Sequence, residues 1–184
     1  MVHQDVKEIL YSEEQIDARV KEMGARLTER YRPLVERGES VIMLCVLRGA
    51  AIFMADLARA TNLPLEMDYM AVSSYGAAAK SSGVVKIQKD LNSDISGKHV
   101  IIAEDILDSG LTLQFLLENL EARTPASIAV VTFLRKEVPG QADIDCFDVG
   151  FTCANEFIVG YGLDFAERYR NLPYVGILKP EIYS

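Results

Sequence analysis

Short apolar runs alternate with amphipathic stretches along the chain, and their spacing predicts its elements. Val41–Leu47 (VIMLCVL) and Ser127–Leu134 (SIAVVTFL) are almost continuously apolar and too short for helices, so they read as strands buried on both faces. Residues 99–105 begin in the same way. Ser12-Glu13-Glu14-Gln15 has the form of a capping box, and Ile16, Val20, Met23 and Leu27 follow at helical spacing. That helix is expected to end near Arg32-Pro33, because proline cannot continue the hydrogen-bond ladder. A second helix is predicted over Ala50–Ala60, with Ile52, Ala55 and Ala58 on its inner side, and a third from about Leu111 to Ala122. Leu65–Val72 and Val84–Gln88 read as further strands, with Phe157–Tyr161 and Tyr174–Leu178 as shorter ones. Ser73–Gly83 (SSYGAAAKSSG) is small, polar and bounded by glycine, and reads as a long mobile loop.

Strands alternating with helices imply an α/β fold, a mostly parallel twisted sheet flanked by helices. Ligands of such sheets bind beyond the carboxyl ends of the strands. The turns at 48–49, 104–112 and 135–136 all follow apolar strands, so they are expected to converge on one site.

With 184 residues, 49% hydrophobic and 25% charged, the chain fits one domain over residues 1–184 that buries a core without staples. No apolar stretch approaches the ~20 residues of a membrane span. The opening MVHQDVKEIL is unlike a secretory signal. Cys45, Cys146 and Cys153 form no CxxC pair, and Cys45 lies inside an apolar run as a small buried hydrophobe would. A reducing, cytoplasmic compartment is the expectation. A net charge of −8 with scattered basic residues argues against a nucleic-acid partner.

The most informative segment is 99–113, HVIIAEDILDSGLTL. An apolar run meets two adjacent carboxylates, Glu104 and Asp105. A third follows in Asp108-Ser109-Gly110-Leu111-Thr112, and a helical pattern then starts. Such a turn can offer several backbone N–H groups to one phosphate, with the Ser109 and Thr112 hydroxyls and the helix dipole assisting. The carboxylates suit ribose hydroxyls, Mg²⁺ or a proton. On its own the segment also fits a solvated strand end followed by a helix-capping turn. Neither a GxxxxGK[ST] loop nor a GxGxxG after a strand is present to offer another nucleotide signature.

This order of residues resembles the phosphoribosyltransferases, whose mark is an apolar strand followed by Glu-Asp-x-x-Asp-[Ser/Thr]-Gly-x-Thr. Further segments are similar to the hypoxanthine–guanine branch in its bacterial form. They are Leu47-Arg48-Gly49-Ala50, Ser73-Ser74-Tyr75-Gly76, Lys136 with Pro139, Phe157-Ile158-Val159-Gly160-Tyr161-Gly162-Leu163-Asp164, and Tyr169-Arg170-Asn171-Leu172-Pro173-Tyr174. The likeness runs from about residue 5 to 180.

The resemblance implies a type I phosphoribosyltransferase fold with a small hood, formed by the 73–83 loop and the terminal segments. It implies transfer of the phosphoribosyl group of phosphoribosyl pyrophosphate (PRPP) to N9 of hypoxanthine or guanine. Residues 108–112 would hold the 5′-phosphate. Glu104 and Asp105 would face the ribose hydroxyls, directly or through Mg²⁺. Asp108 would accept the proton at purine N7, and Lys136 would donate to O6. Phe157 would stack on the base, and backbone groups near Ile158 and Asp164 would read its remaining edge. Asp164 would also serve a second Mg²⁺. Arg48 and Gly49 would form the pyrophosphate loop, where a non-proline cis peptide is typical, with Arg170 adding charge. Ser74 and Tyr75 would be the working residues of the hood.

Two stretches depart from the family pattern. Residues 152–156 (TCANE) lack the Ile-Pro-Asp common before the aromatic, and Ala77-Ala78-Ala79 replaces more polar hood residues. A homodimer or homotetramer is implied by resemblance only. Two other readings stay open here: a xanthine-preferring transferase, and an RNA-binding regulator on the same scaffold.

Overall fold

The computed structural model describes residues 2–74 and 85–183. Most of the 73–83 loop, Tyr75 included, lies outside the described residues.

The elements in chain order are β1 (Val6–Tyr11), α1 (Glu13–Glu36), β2 (Val41–Leu47), α2 (Ala51–Ala60), β3 (Glu66–Ser74), β4 (Val85–Lys89), β5 (His99–Leu107), α3 (Leu111–Glu121), β6 (Ser127–Lys136), β7 (Cys146–Cys153), β8 (Ile158–Val159), β9 (Val175–Leu178) and α4 (Pro180–Tyr183). Six strands form the main sheet in the order β4-β3-β2-β5-β6-β7, and β1-β9-β8 form a small second sheet. Within the main sheet only the β3–β4 pair is antiparallel.

β2 shows why its sequence is apolar throughout. Val41, Met43 and Cys45 face the core under α1 and α2, with Met23, Leu27, Phe53 and Leu57. Ile42, Leu44 and Val46 face the opposite core, with Leu113, Leu116 and Leu120 of α3. Both faces of the strand are dry, so neither can be polar.

α1 starts at the expected capping box. The Gln15 amide donates to Ser12 Oγ at 3.3 Å, and the Ser12 amide donates to Gln15 Oε1 at 2.8 Å. The helix does not stop at Pro33, however; it runs on to Glu36. The carbonyl that Pro33 leaves unpaired belongs to the exposed Glu29, where water can serve it, while the following Leu34 and Val35 pack on the core. The inner side of α2 also differs from expectation: Phe53, Met54 and Leu57 are buried and Ala55 is exposed. The larger side chains exclude more water and take the core-facing positions. Gly24 of α1 brings the two helices together, because a Cβ there would lie 2.6 Å from the Ala60 backbone.

β1 and β7 were not individually recognisable in the sequence. β1 buries only Val6, so it carries no clean alternation. β7 carries a buried acid, Asp148, neutralised by Arg19 at 2.8 Å and Arg26 at 3.3 Å from α1. Among the described residues no helix is long and apolar enough to cross a membrane.

Candidate active site

The strand order reverses between β2 and β5: the chain leaves β2 toward β3 on one side, and leaves β5 toward β6 on the other. A crevice is expected at that reversal. It opens because the β2–β5 ladder ends at Cys45–Ala103, while β5 stays paired with β6 as far as Leu107–Arg135. β5 therefore continues through Glu104 and Asp105 as strand rather than ending at them. The resulting cleft, about 300 Å³, is lined by Arg48, Gly49, Glu104, Asp105, Asp164 and Arg170, with the 106–110 turn and Thr112 as its floor. A larger groove, about 710 Å³, lies between α1, α2 and residues 171–173, away from the strand ends.

The two carboxylates sit in unlike surroundings. Glu104 Oε2 is buried and has no hydrogen-bond partner among the described residues. Burial first, and then the neighbouring Asp105 charge, push its pKa well above the usual carboxylate range. Asp105 Oδ1 accepts the Ile106 amide at 2.9 Å. Its pKa is pushed up to about 6, chiefly by burial, against the opposing pull of that hydrogen bond and of Arg170. Beneath the pair, burial and the same two charges push the Cys45 thiol up to about 12, as befits an inert core residue.

A pH dependence follows. Between the ordinary aspartate value of 3.8 and about 6, the folded chain keeps a proton that the unfolded chain has released. The unfolded state then binds fewer protons, so stability falls as pH rises across that window. Thermal unfolding of the unliganded protein from pH 4 to 6 is expected to show this decline. Asp105→Asn is expected to make it shallower, leaving the share of Glu104, whose pKa is also raised by burial; an unchanged slope would assign the decline to other groups.

The 108–110 turn follows Leu107. Gly110 adopts φ +79° and begins α3 with no side-chain cap, so the first amides of the helix face the cleft without a built-in competitor. A Cβ at Gly110 would lie 3.0 Å from Ala142 Cβ, in a left-handed conformation that disfavours side chains. The Leu111 side chain is exposed and is not part of the cleft wall, so only its backbone is placed to contribute.

Register decides the next pair. Leu107 lies opposite Arg135 on β6, so the following residues, Asp108 and Lys136, emerge side by side. Lys136 Nζ lies 3.3 Å from Asp108 Oδ2, with the lysine stem largely buried and the aspartate half-exposed. Phe157 and Ile158 are carried by the small sheet. Phe157 does not line the cleft: it stacks on Tyr183 at 4.7 Å between ring centroids, and Phe165 meets it edge-on at 5.4 Å. One face of its ring is thus covered by protein.

The Arg48–Gly49 side of the cleft is built by close backbone approach. The Leu47–Arg48 peptide is cis. A Cβ at Gly49 would overlap the Asp105 carboxylate, and one at Gly162 would overlap the Gly49 carbonyl. Gly160, Tyr161 and Gly162 all have positive φ, and turn the chain so that Asp164 and Arg170 face the loop. Arg170 donates to Gly162 O at 2.8 Å and pairs with Asp164 at 2.9 Å. Asp164 Oδ2 also accepts the Glu167 amide at 2.9 Å. Arg48, largely exposed, pairs with Glu167 at 2.7 Å.

Ser74 ends β3, and Tyr75 lies beyond the described residues. Glu167, Gln141 and Tyr183 are site-side residues that sequence reasoning passed over. Glu167 is an exposed acid in a turn, Gln141 sits in a polar loop and Tyr183 lies in a four-residue helix, so none stands in a recognisable pattern.

Comparison with known proteins adds an independent line. Residues 11–166 match the phosphoribosyl transferase domain family. The chain is 51% identical over 181 residues to a hypoxanthine-guanine phosphoribosyltransferase of Mycobacterium avium, covering 98% of this chain and 89% of that protein. It is 49% identical to the one from Bacillus subtilis, covering 100% of this chain and 99% of that protein. A crystal structure of a hypoxanthine phosphoribosyltransferase from Staphylococcus aureus superposes with a TM-score of 0.92 at 46% identity, covering 99% of this chain and 96% of that one.

Proposed function

The chain belongs to the phosphoribosyltransferase family, and from that premise we propose how its residues divide the work of the reaction. The activity is transfer of the 5-phosphoribosyl group of PRPP to hypoxanthine or guanine, giving IMP or GMP and pyrophosphate. The observation that carries the residue-level reading is the Asp108–Lys136 pair, standing at the ends of adjacent strands beside an uncapped helix N-terminus. A phosphate cradle and a donor–acceptor pair for a base edge are thereby neighbours.

In this reading the backbone N–H groups and hydroxyls of 109–112 hold the 5′-phosphate, and Glu104 and Asp105 face the ribose 2′- and 3′-hydroxyls. The Gly49 backbone, with Arg48 and Arg170, receives the departing pyrophosphate. As N9 attacks C1 of the ribose, the C1–oxygen bond to pyrophosphate breaks and the N7 proton passes to Asp108. Lys136 donates to O6, which a 6-amino group cannot accept. The free face of Phe157 offers a stacking surface. Positive charge develops on the ribose and negative charge on pyrophosphate, so positioning and electrostatics carry the catalysis.

The buried, unpartnered Glu104 Oε2 beside Asp105 fits a hard divalent cation. No cluster of three or more His, Cys, Asp or Glu able to hold a metal occurs among the described residues, so substrate oxygens and water would complete the shell. Bound there, Mg²⁺ would supply positive charge to the ribose hydroxyls. Asp164 already engages Arg170 and the Glu167 amide, and fits a second cation less well. A cytoplasmic homodimer or homotetramer with one domain over 1–184 completes the proposal, and the net charge of −8 supports an absence of nucleic-acid binding.

The test is product formation from PRPP and Mg²⁺ with hypoxanthine, guanine, xanthine or adenine in turn. Hypoxanthine and guanine are expected to react best; xanthine as the best substrate would select the alternative preference. Lys136→Met is expected to lower kcat/KM for hypoxanthine roughly 10- to 100-fold, the worth of a hydrogen bond from a charged donor. Unaltered discrimination against adenine in that variant would remove Lys136 from base recognition.

A further inference from the structure

The β5–β6 ladder stops at Leu107–Arg135, one residue short of Asp108 and Lys136. Beyond it β6 turns to its other neighbour, since the Glu137 amide donates to Cys153 O at 3.0 Å. The separation of the two side chains that would read the base is therefore not held by sheet hydrogen bonds. A side chain from the β6–β7 loop spans the gap. Gln141 Nε2 donates to Leu107 O at 3.2 Å, to Lys136 O at 2.9 Å and to Asp108 O, while its Oε1 accepts Arg135 Nε at 3.0 Å. The amide orientation is determined by its partners, because the flipped form would set an oxygen against three carbonyl oxygens.

We propose that Gln141 is a positioning residue that sets the spacing of Asp108 and Lys136, and with it the fit of the purine edge. It replaces the missing ladder bonds at the point where two strands separate around the site. The proposal rests on Asp108 and Lys136 contacting the base, as argued above. The phosphate cradle has its own support: the Ala142 amide donates to Ser109 O at 2.9 Å, and Ala142 and Ile144 occupy the space a Cβ at Gly110 would need. Loss of the Gln141 side chain should therefore be felt by the base more than by the phosphoribosyl donor.

Three variants separate hydrogen bonding from packing. Gln141→Leu removes the donors, Gln141→Glu presents a carboxylate to three carbonyls, and Gln141→Lys offers three N–H donors in place of the amide's two while giving up the acceptor that Arg135 uses. With hypoxanthine as varied substrate, the Leu and Glu variants are expected to lose about tenfold in kcat and the Lys variant to lose less than either, as displacement of reacting groups by fractions of an ångström implies. The Kd of Mg²⁺–PRPP, titrated without base, is expected to stay within about twofold for the Leu variant. Unchanged kcat in Gln141→Leu, equal losses in kcat and PRPP affinity, or identical behaviour of the Glu and Lys variants would each overturn the proposal. Lys136→Met and Asp108→Asn in the same assays distinguish the two levels. If they too leave turnover intact, the assignment of the base site fails, not only the role of Gln141.

Discussion

Replacing Asp108 with asparagine is expected to lower kcat with hypoxanthine roughly 100- to 1,000-fold, while the affinity for PRPP stays within about threefold. The amide is nearly isosteric with the carboxylate and can still accept a hydrogen bond, but it cannot take the N7 proton. The turn proposed to hold phosphate depends on other features: the left-handed Gly110, the start of α3 without a side-chain cap and the tie from Ala142 to Ser109. Asp108 stands half-exposed beside Lys136, so the change leaves no buried orphan and should hardly move the unfolding temperature. Single-turnover kinetics together with PRPP titration read the two effects separately. Wild-type turnover would exclude Asp108 from the chemistry, whereas a matching fall in PRPP affinity would make it a phosphate-loop residue.

Gly49→Ala is expected to disrupt the Arg48–Gly49 side of the cleft with a single methyl group. The added Cβ would occupy the space of the Asp105 carboxylate. Retreat of the loop is blocked from the other side, where the Gly49 carbonyl already meets the Gly162 backbone. Either the buried Asp105 must swing away from the ribose side or the loop must move off its place. Overpacking of this kind costs about 1–3 kcal/mol, which for a chain of this length lowers the unfolding temperature by roughly 2–12 °C. PRPP affinity is expected to fall at least tenfold, because a displaced loop no longer offers its backbone at the required distance. Removing the obstruction isolates the cause when Asp105→Ala alone is the reference: Gly49→Ala should cost less thermal stability in the Asp105→Ala background than in the wild type, without regaining activity. If Gly49→Ala costs as much in the Asp105→Ala background as in the wild type, the clash is not the origin of the loss.

These effects differ in how far they could be read from the chain. Asp108 stands in a contiguous motif whose local conformation, strand then turn then helix, follows from apolar runs and a glycine. The requirement at Gly49 has no local cause, since its obstacle is a carboxylate 56 positions on, delivered by the parallel alignment of β2 and β5. The same distinction explains the misread elements. The end of α1 depended on what Leu34 and Val35 pack against, and the face of α2 on which side chains the sheet could bury. β7 became recognisable only once Arg19 and Arg26 had been placed beside Asp148.

Hydrophobic periodicity, the capping box and the 99–113 motif determined most of the elements, the alternation that implies a parallel sheet, and the strand–turn–helix form of 99–113, because each depends on residues within a few positions of one another. Tertiary structure alone decided the Asp108–Lys136 pairing, the desolvation that raises Glu104 and Asp105, the covering of one Phe157 face by Tyr183, and the bridging of two strand ends by Gln141. Each of these is a property of distance and solvent exclusion between segments far apart in the chain, which strand register creates and no local pattern records.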